Sequence, residues 1–163
     1  GIRGIVDGYL IRDGRPVVDC VVNTMGFAQT LLADPGNGTQ VCGDNFFERL
    51  DVPVIQAVAL YGDPKKWEES PFGLTSADIA MSVVNPEYDG QIDTVPVCGA
   101  VVCPDGAYRT MPIPERCRMV ADTAFRWASL RHVPEDKKKV AVLIYMYPPR
   151  QDLAGGGYGL DTL

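Results

Sequence analysis

The sequence predicts an α/β fold, a three-layer sandwich around a mostly parallel sheet. Two apolar runs, VDCVVNTMGF at 18–27 and VPVIQAVAL at 52–60, carry polar residues mainly at their ends and so read as strands buried on both faces. Helix signals alternate with them, in KKWEE, in TSADIAMSVV and in a long amphipathic stretch after Pro114. A hairpin-like excursion near 91–109 is marked by extended QIDTVPVCGAVV and the turn CPDG, with Pro at its second position and Gly at its fourth.

Taken in order, 18–27 is the first clear strand. LLADPGNGTQVCGD is loop-like, with Pro35, Gly36 and Gly38 as breakers. DNFFERL, 44–50, is expected to be a short helix with Asp44 as N-cap. The run 52–60 is the second strand. TSADIAMSVV, 75–84, opens on a capping box of Thr75 and Asp78 and is expected to end at Pro86. The long helix carries an apolar stripe of Ile113, Cys117, Val120, Ala121, Ala124 and Ala128. Glu115, Arg118, Asp122 and Arg126 lie on its other side, spaced for ion pairs. KKVAVLIYMY, 138–147, is a further buried strand, and a glycine-rich segment follows. The order implies right-handed crossovers and an arrangement of flavodoxin-like or Rossmann-like type.

Composition narrows the function. A chain of 163 residues is about one domain, and 46% hydrophobic with 22% charged residues is ordinary for a globular protein. A net charge of −6 argues against nucleic-acid binding, which needs clustered Lys and Arg. No apolar stretch has the length of a membrane span. Five cysteines in a chain with a good hydrophobic complement point to reduced thiols and a cytoplasmic location. Cys98 and Cys103 could be half a zinc site, but their spacing is wider than a zinc knuckle's. No second pair accompanies them, and His132 is the only His, so no metal site is expected. Cys20, Cys98 and Cys117 are expected reduced and at least partly buried.

Ligands of such sheets gather outside the carboxyl ends of the strands. The candidates for contact are therefore Asn23, Gly26 and Phe27 after the first strand, Gln56 in the second, and Glu87 and Asp89 in the turn PEYDG. Phe27 offers a flat ring for stacking, and Gly26 a close backbone approach. The competing reading packs Phe27 in the core and makes Glu87 and Asp89 a turn, with Asp89-Gly90 chosen for backbone geometry. GGGYG has neither the spacing of a dinucleotide loop nor the Lys of a phosphate loop. The four arginines 116, 118, 126 and 131 could hold carboxylates, but they interleave with Glu115 and Asp122 as a solvated face does. One His allows no Ser–His–Asp or Cys–His set, and no catalytic residue is assigned.

VDCVVNTMGFAQ, LDVPVIQAVALYGDPKKWEESPFGLTSADIAMSVVNPEYDGQIDTVPVCGAVV, IPERCRMVADTAFRWASLRHVPEDKKKVAVLIYMYPP and GYGLDT together resemble the large, tetrapyrrole-binding subunit of the ATP-dependent metal chelatases. The resemblance covers about 15–163, and its most specific parts are the PE-x-DG-x-I turn and the strand–YPP–Gly-rich segment. IDTVPVCGAVV and IPER resemble the magnesium chelatase branch and GYGLDT the cobalt chelatase branch, with the balance toward cobalt.

The family's subunits are several times longer. The resemblance therefore implies an internal piece, 1–163 forming one α/β domain with a junction to a following module at 148–163, where Asp161 or Thr162 would cap the next helix. It implies as partners the rest of the large subunit, an AAA+ ATPase subunit with its companion, and the tetrapyrrole. ATP would be used on the partner, with Mg2+, and Co2+ or Mg2+ would be the inserted substrate. No cofactor is expected on this piece and no activity from it alone. A free-standing flavodoxin-like binding domain, or a docking module for the ATPase partners, are the alternatives.

Overall fold

The computed structural model describes residues 2–29, 31–33, 40–42, 45 and 47–141. The chain divides into two compact units, Gly1–His132 and Val133–Leu163. In the second, a 3-10 turn, Glu135–Lys137, is closed by an ion pair of Lys138 with Glu135 at 2.6 Å. All other described elements belong to the first.

Helix α1 (Ile2–Ile5) runs on as a π-helical turn, Val6–Leu10. Strands β1 (Ile11–Arg12) and β2 (Arg15–Pro16) form a tight hairpin. Its turn is Asp13-Gly14, both at positive φ (52° and 72°), the pair that a two-residue hairpin turn favours. Strand β3 is Val21–Asn23. The predicted strand at 18–27 is thus much shorter, because Asn23 starts a turn that ends it. Strands β4 (Leu31–Ala33) and β5 (Gln40–Cys42) pair antiparallel where a loop is expected. The predicted helix at 44–50 is only a 3-10 turn, Glu48–Leu50; Asp44 lies outside the described residues, and Asn45 Oδ1 accepts from the backbone N–H of Phe47 and Glu48.

Strand β6 is Val54–Leu60, as its apolar run predicts. Helix α2 (Pro64–Glu69) has Asp63 as N-cap. Helix α3 (Ser76–Ile79) opens on the predicted capping box of Thr75 and Asp78. It continues as a π-helical turn, Ala80–Val84, and then as α4 (Asn85–Glu87). Pro86 therefore does not end the helical stretch. Proline lacks the N–H that an α-helical bond would use, and the wider turn before it accommodates the ring.

Strands β7 (Ile92–Val102) and β8 (Tyr108–Pro112) make the hairpin expected near 91–109, with Gly106 at φ 79° in its turn. Helix α5 is Pro114–Arg131, with Pro at its start. Its apolar stripe is narrower than its spacing implies: Val120 is buried and Ile113, Ala124 and Ala128 are half-buried, but Cys117 and Ala121 are exposed. Glu115 pairs with its neighbour Arg116 at 3.5 Å rather than with Arg118. Of the predicted strand at 138–147, residues 142–147 lie outside the described residues, as do the glycine-rich segment and the 148–163 junction.

The principal sheet runs β3-β6-β7-β8; β3, β6 and β7 are parallel and β8 is antiparallel. Side chains alternate across β6. Ile55 and Ala57 face α5 and pack with Val95 and Val120. Val54 lies with Val6, Phe47 and Leu50 on the other side. The sheet is thus covered on both faces, the three-layer arrangement of an α/β fold. Gly99 on β7 is forced by packing: a Cβ there would collide with the Gly62 carbonyl oxygen and lie 2.9 Å from the Pro64 ring.

Candidate functional site

β3 stops at Asn23 because its side chain turns back on the chain. Asn23 Oδ1 accepts from the Met25 backbone N–H at 3.1 Å, a local bond that competes with strand continuation. Asn23 sits opposite Gln56 in the parallel register, so the two amides meet between strands. Asn23 Nδ2 lies 3.1 Å from Gln56 Oε1, 2.8 Å from Gln91 Oε1 and 3.2 Å from the Met25 carbonyl oxygen. Gln56 Nε2 donates to the Met25 carbonyl at 2.9 Å. Gln91 Nε2 donates to Asp89 Oδ2 at 3.2 Å, and the same oxygen accepts from the Gln29 backbone N–H at 2.5 Å.

This polar network is buried; Gln56 is 1% exposed and Gln91 and Asp89 are 2% exposed. Buried amides are costly unless both ends are bonded, and here Gln56 and Gln91 each use both. The network holds the 24–29 loop at its two ends, Met25 and Gln29. Within the loop, Phe27 N–H donates to the Met81 carbonyl at 2.8 Å, and Gln29 Nε2 donates to the Gly26 and Phe27 carbonyls. Phe27 takes a left-handed backbone, φ 65°, and its side is 51% exposed.

Of the residues picked from the sequence, Asn23, Gln56 and Asp89 come together in this network, and Gly26 and Phe27 lie on the loop it clamps. Glu87 is exposed at the end of α4 and stands outside the network. A Cβ on Gly26 would have only ordinary contacts with Ser82 and Met81, at 3.7 and 3.8 Å, so nothing among the described residues requires a glycine there. Asn23 lines an apolar hollow of about 400 Å³ with Met25 and Phe47, and Asp89 lines a more polar one of about 430 Å³ with Asn45 and Gly90. Sequence reasoning missed Gln91, which directly follows the DG of the PEYDG turn. A glutamine there reads as a side chain in water, and only the closing of β7 onto β6 shows it to be interior.

A larger open groove, about 620 Å³, lies between the start of β7 and α5, bordered by Val95, Met119, Trp127 and Leu130. None of the predicted site residues lines it. Trp127 Nε1 donates across it to Asp93 Oδ2 at 2.7 Å. His132 Nε2 lies 3.0 Å from Asp19 Oδ2, an ion-pair position that ties the end of α5 to the approach to β3.

Burial pushes the Cys98 thiol up, with neighbouring Cys117 adding to the effect. Burial likewise raises Cys20, against a weaker lowering by its bond to the Val21 carbonyl. Both are half-buried, but Cys117 is exposed, against expectation, because the buried line of α5 passes through Val120 and Ala124 instead. Among the described residues, no group of three or more His, Cys, Asp or Glu is placed to hold a metal ion, and no helix is long and apolar enough to cross a membrane. The arrangement is suited to holding a loop and presenting an aromatic ring.

The family model for CobN/Magnesium Chelatase matches residues 1–163. The chain is 36% identical to the aerobic cobaltochelatase subunit CobN of Pseudomonas aeruginosa, over 96% of this chain and 12% of that protein. It is 28% identical to the chloroplastic magnesium-chelatase subunit ChlH of Oryza sativa subsp. indica, over 93% of this chain and 11% of that one. Among solved structures, the catalytic subunit of cobaltochelatase from Mycobacterium tuberculosis superposes with a TM-score of 0.65 at 30% identity, covering 79% of this chain and 11% of that chain. The chain thus spans about a ninth of the length of these relatives. With its whole length matched and its fold shared at 30% identity, the chain belongs to the CobN/magnesium chelatase family.

Proposed function

We propose that the chain is a segment of the large subunit of an ATP-dependent chelatase that inserts cobalt, or magnesium, into a tetrapyrrole ring, in cobalamin or (bacterio)chlorophyll synthesis. The parent would be a ligase that forms nitrogen–metal bonds in the cytoplasm, and this segment would be non-catalytic by itself. The observation that carries the reading is the family match over residues 1–163. The higher identity to the cobalt relative, 36% against 28%, favours cobalt. Nucleotide hydrolysis belongs, on this reading, to a partner AAA+ ATPase with its companion subunit, and the metal ion is a substrate handled elsewhere in the assembly.

The segment's own contribution would be a ring-facing surface at the end of β3. The half-exposed Phe27 supports this, since a flat apolar ring stacks offset on a macrocycle. Asn23, Gln56 and Asp89 would fix the loop from beneath, with Gly26 beside Phe27 within it; Glu87, exposed at the end of α4, would be a further contact.

The test is substitution in the full-length subunit. Phe27→Ala with Asp89→Asn should weaken binding of a metal-free porphyrin or a cobalt-free corrinoid, read by fluorescence quenching. An unchanged dissociation constant with the fold retained would remove the loop from the site and leave the segment a scaffold. The purified 163-residue chain should show neither ATP hydrolysis nor metal insertion; turnover by it would overturn the segment reading.

A further inference from the structure

We propose that Gln91 is the positioning residue of the 24–29 loop, setting the Phe27 ring toward a flat, largely apolar macrocycle. The proposal rests on the reading above that this loop faces a tetrapyrrole, and it assigns a role to a residue with no part in that reading.

Gln91 is 2% exposed and sits just before β7. Its amide joins the two ends of the loop. Through Oε1 it accepts from Asn23 Nδ2 at 2.8 Å, and Asn23 holds the Met25 N–H. Through Nε2 it donates to Asp89 Oδ2, which holds the Gln29 N–H. A leucine of similar size would fill the same space but would cut both links at once. The side chain itself lies beneath the loop, so its influence on a ligand must pass through the loop.

The loop it ties is strained at an exposed residue. A bulky residue at φ 65° is uncommon and costs on the order of 1 kcal/mol or more. Phe27 also leaves half its surface in water, so the strain is not offset by burial in the core. Bonds to its N–H from one side and its carbonyl from the other hold the conformation. A costly backbone conformation that places an aromatic face in solvent, clamped by a buried network, is what a preorganised stacking platform requires. The network's amides are neutral and engaged with one another, so the role is orientation rather than proton transfer.

The experiment is a double-mutant cycle in the full-length subunit, titrated with a metal-free porphyrin and with a cobalt-free corrinoid. Affinity is read by fluorescence quenching, and ring stacking by the shift of the pigment's main absorption band. Phe27→Ala and Gln91→Leu should each weaken binding about tenfold and reduce the band shift. The double variant should be no weaker than Phe27→Ala, because Gln91 acts through Phe27. Phe27→Gly should raise the melting temperature, by releasing the left-handed strain, while losing affinity. Where Gln91→Leu does not fold, Gln91→Glu, which keeps the acceptor for Asn23 Nδ2 but loses the donor to Asp89 Oδ2, takes its place in the cycle with the same expectation.

Additive losses would make the replaced amide a general stabiliser and overturn the proposal. So would an unchanged affinity in Phe27→Ala, while leaving ring binding by the subunit intact. Failure of the unmodified subunit to bind either pigment would remove the tetrapyrrole reading itself and the proposal with it.

Discussion

Ile55 and Gln56 are neighbours on β6, 0% and 1% exposed, and they face opposite sides of the sheet. On the α5 side, Ile55 meets Ala57, Val95 and Val120, and the contact is wholly apolar. On the other side, Gln56 meets Asn23, the Met25 carbonyl and, through Asn23, Gln91. Apolar packing is non-directional and tolerates exchange among residues of similar volume. A buried amide network tolerates very little, since removing one partner strands the others. The first face gives stability; the second specifies the path of one loop.

That contrast can be broken by substitution. Ile55→Ala should have the largest effect, a loss of about 3 to 4 kcal/mol in denaturant unfolding, because the strand and α5 cannot collapse onto the cavity. A loss under about 1 kcal/mol would mean that α5 is loosely held. Gln56→Leu keeps the volume and should still cost about 2 kcal/mol, by leaving polar groups of Asn23 and Met25 short of partners. A neutral or stabilising result would refute the claim that this face is specified by its polar bonds. Asp78→Ala tests a second polar anchor: its carboxylate accepts from Thr75 and from the Tyr61 N–H just after β6. A loss of about 1 to 2 kcal/mol is expected, seen as a lower thermal midpoint. Ile55→Val, the counterpart of Gln56→Leu on the dry face, should cost only about 1 kcal/mol.

The smallest effect is on pH. Cys98 and Cys20 have thiols raised above their unfolded value by burial. Their contribution is fully present below the unfolded thiol pKa, about 8.5, and is lost as pH rises through the folded values. Unfolding followed from pH 7 to 10 should show stability falling only above about 8.5, and Cys98→Ser should flatten that fall. An unchanged slope in the variant would show that other groups cause it.

Elements with local signals were the more legible in sequence. VPVIQAVAL names β6 almost to the residue, the Thr75–Asp78 box appears where its spacing puts it, and CPDG marks the β7–β8 turn. These signals are local, and each rests on a few adjacent residues. The polar face was legible in part. Asn23, Gln56 and Asp89 could be picked as strand-end polar residues, but their convergence depends on a parallel register set by distant segments. Gln91 gave no signal, because nothing local separates a buried amide from a solvated one. β3 was overread for the opposite reason. Apolar residues continue to Phe27, but the Asn23 side chain bends the chain away first. In α5, the stripe chosen by spacing included Cys117 and Ala121, which stay exposed; the Cys117 thiol reaches only the Val97 carbonyl at the edge of the contact that Val120 makes with β6 and β7.

The sheet also dictates an order of assembly. β7 and β8 join between Val102 and Tyr108, a closure of small entropic cost, whereas β3 must find β6 from Val21 to Val54, and Asn23 must reach Gln91 across 68 residues. Local pairings of this kind form early and distant parallel ones late. The 24–29 loop therefore acquires its shape only when the outermost parallel strand docks. Nascent or partly unfolded chains would keep the hairpin and α5 while leaving that loop unformed, so the segment would present its aromatic ring only once folding is complete.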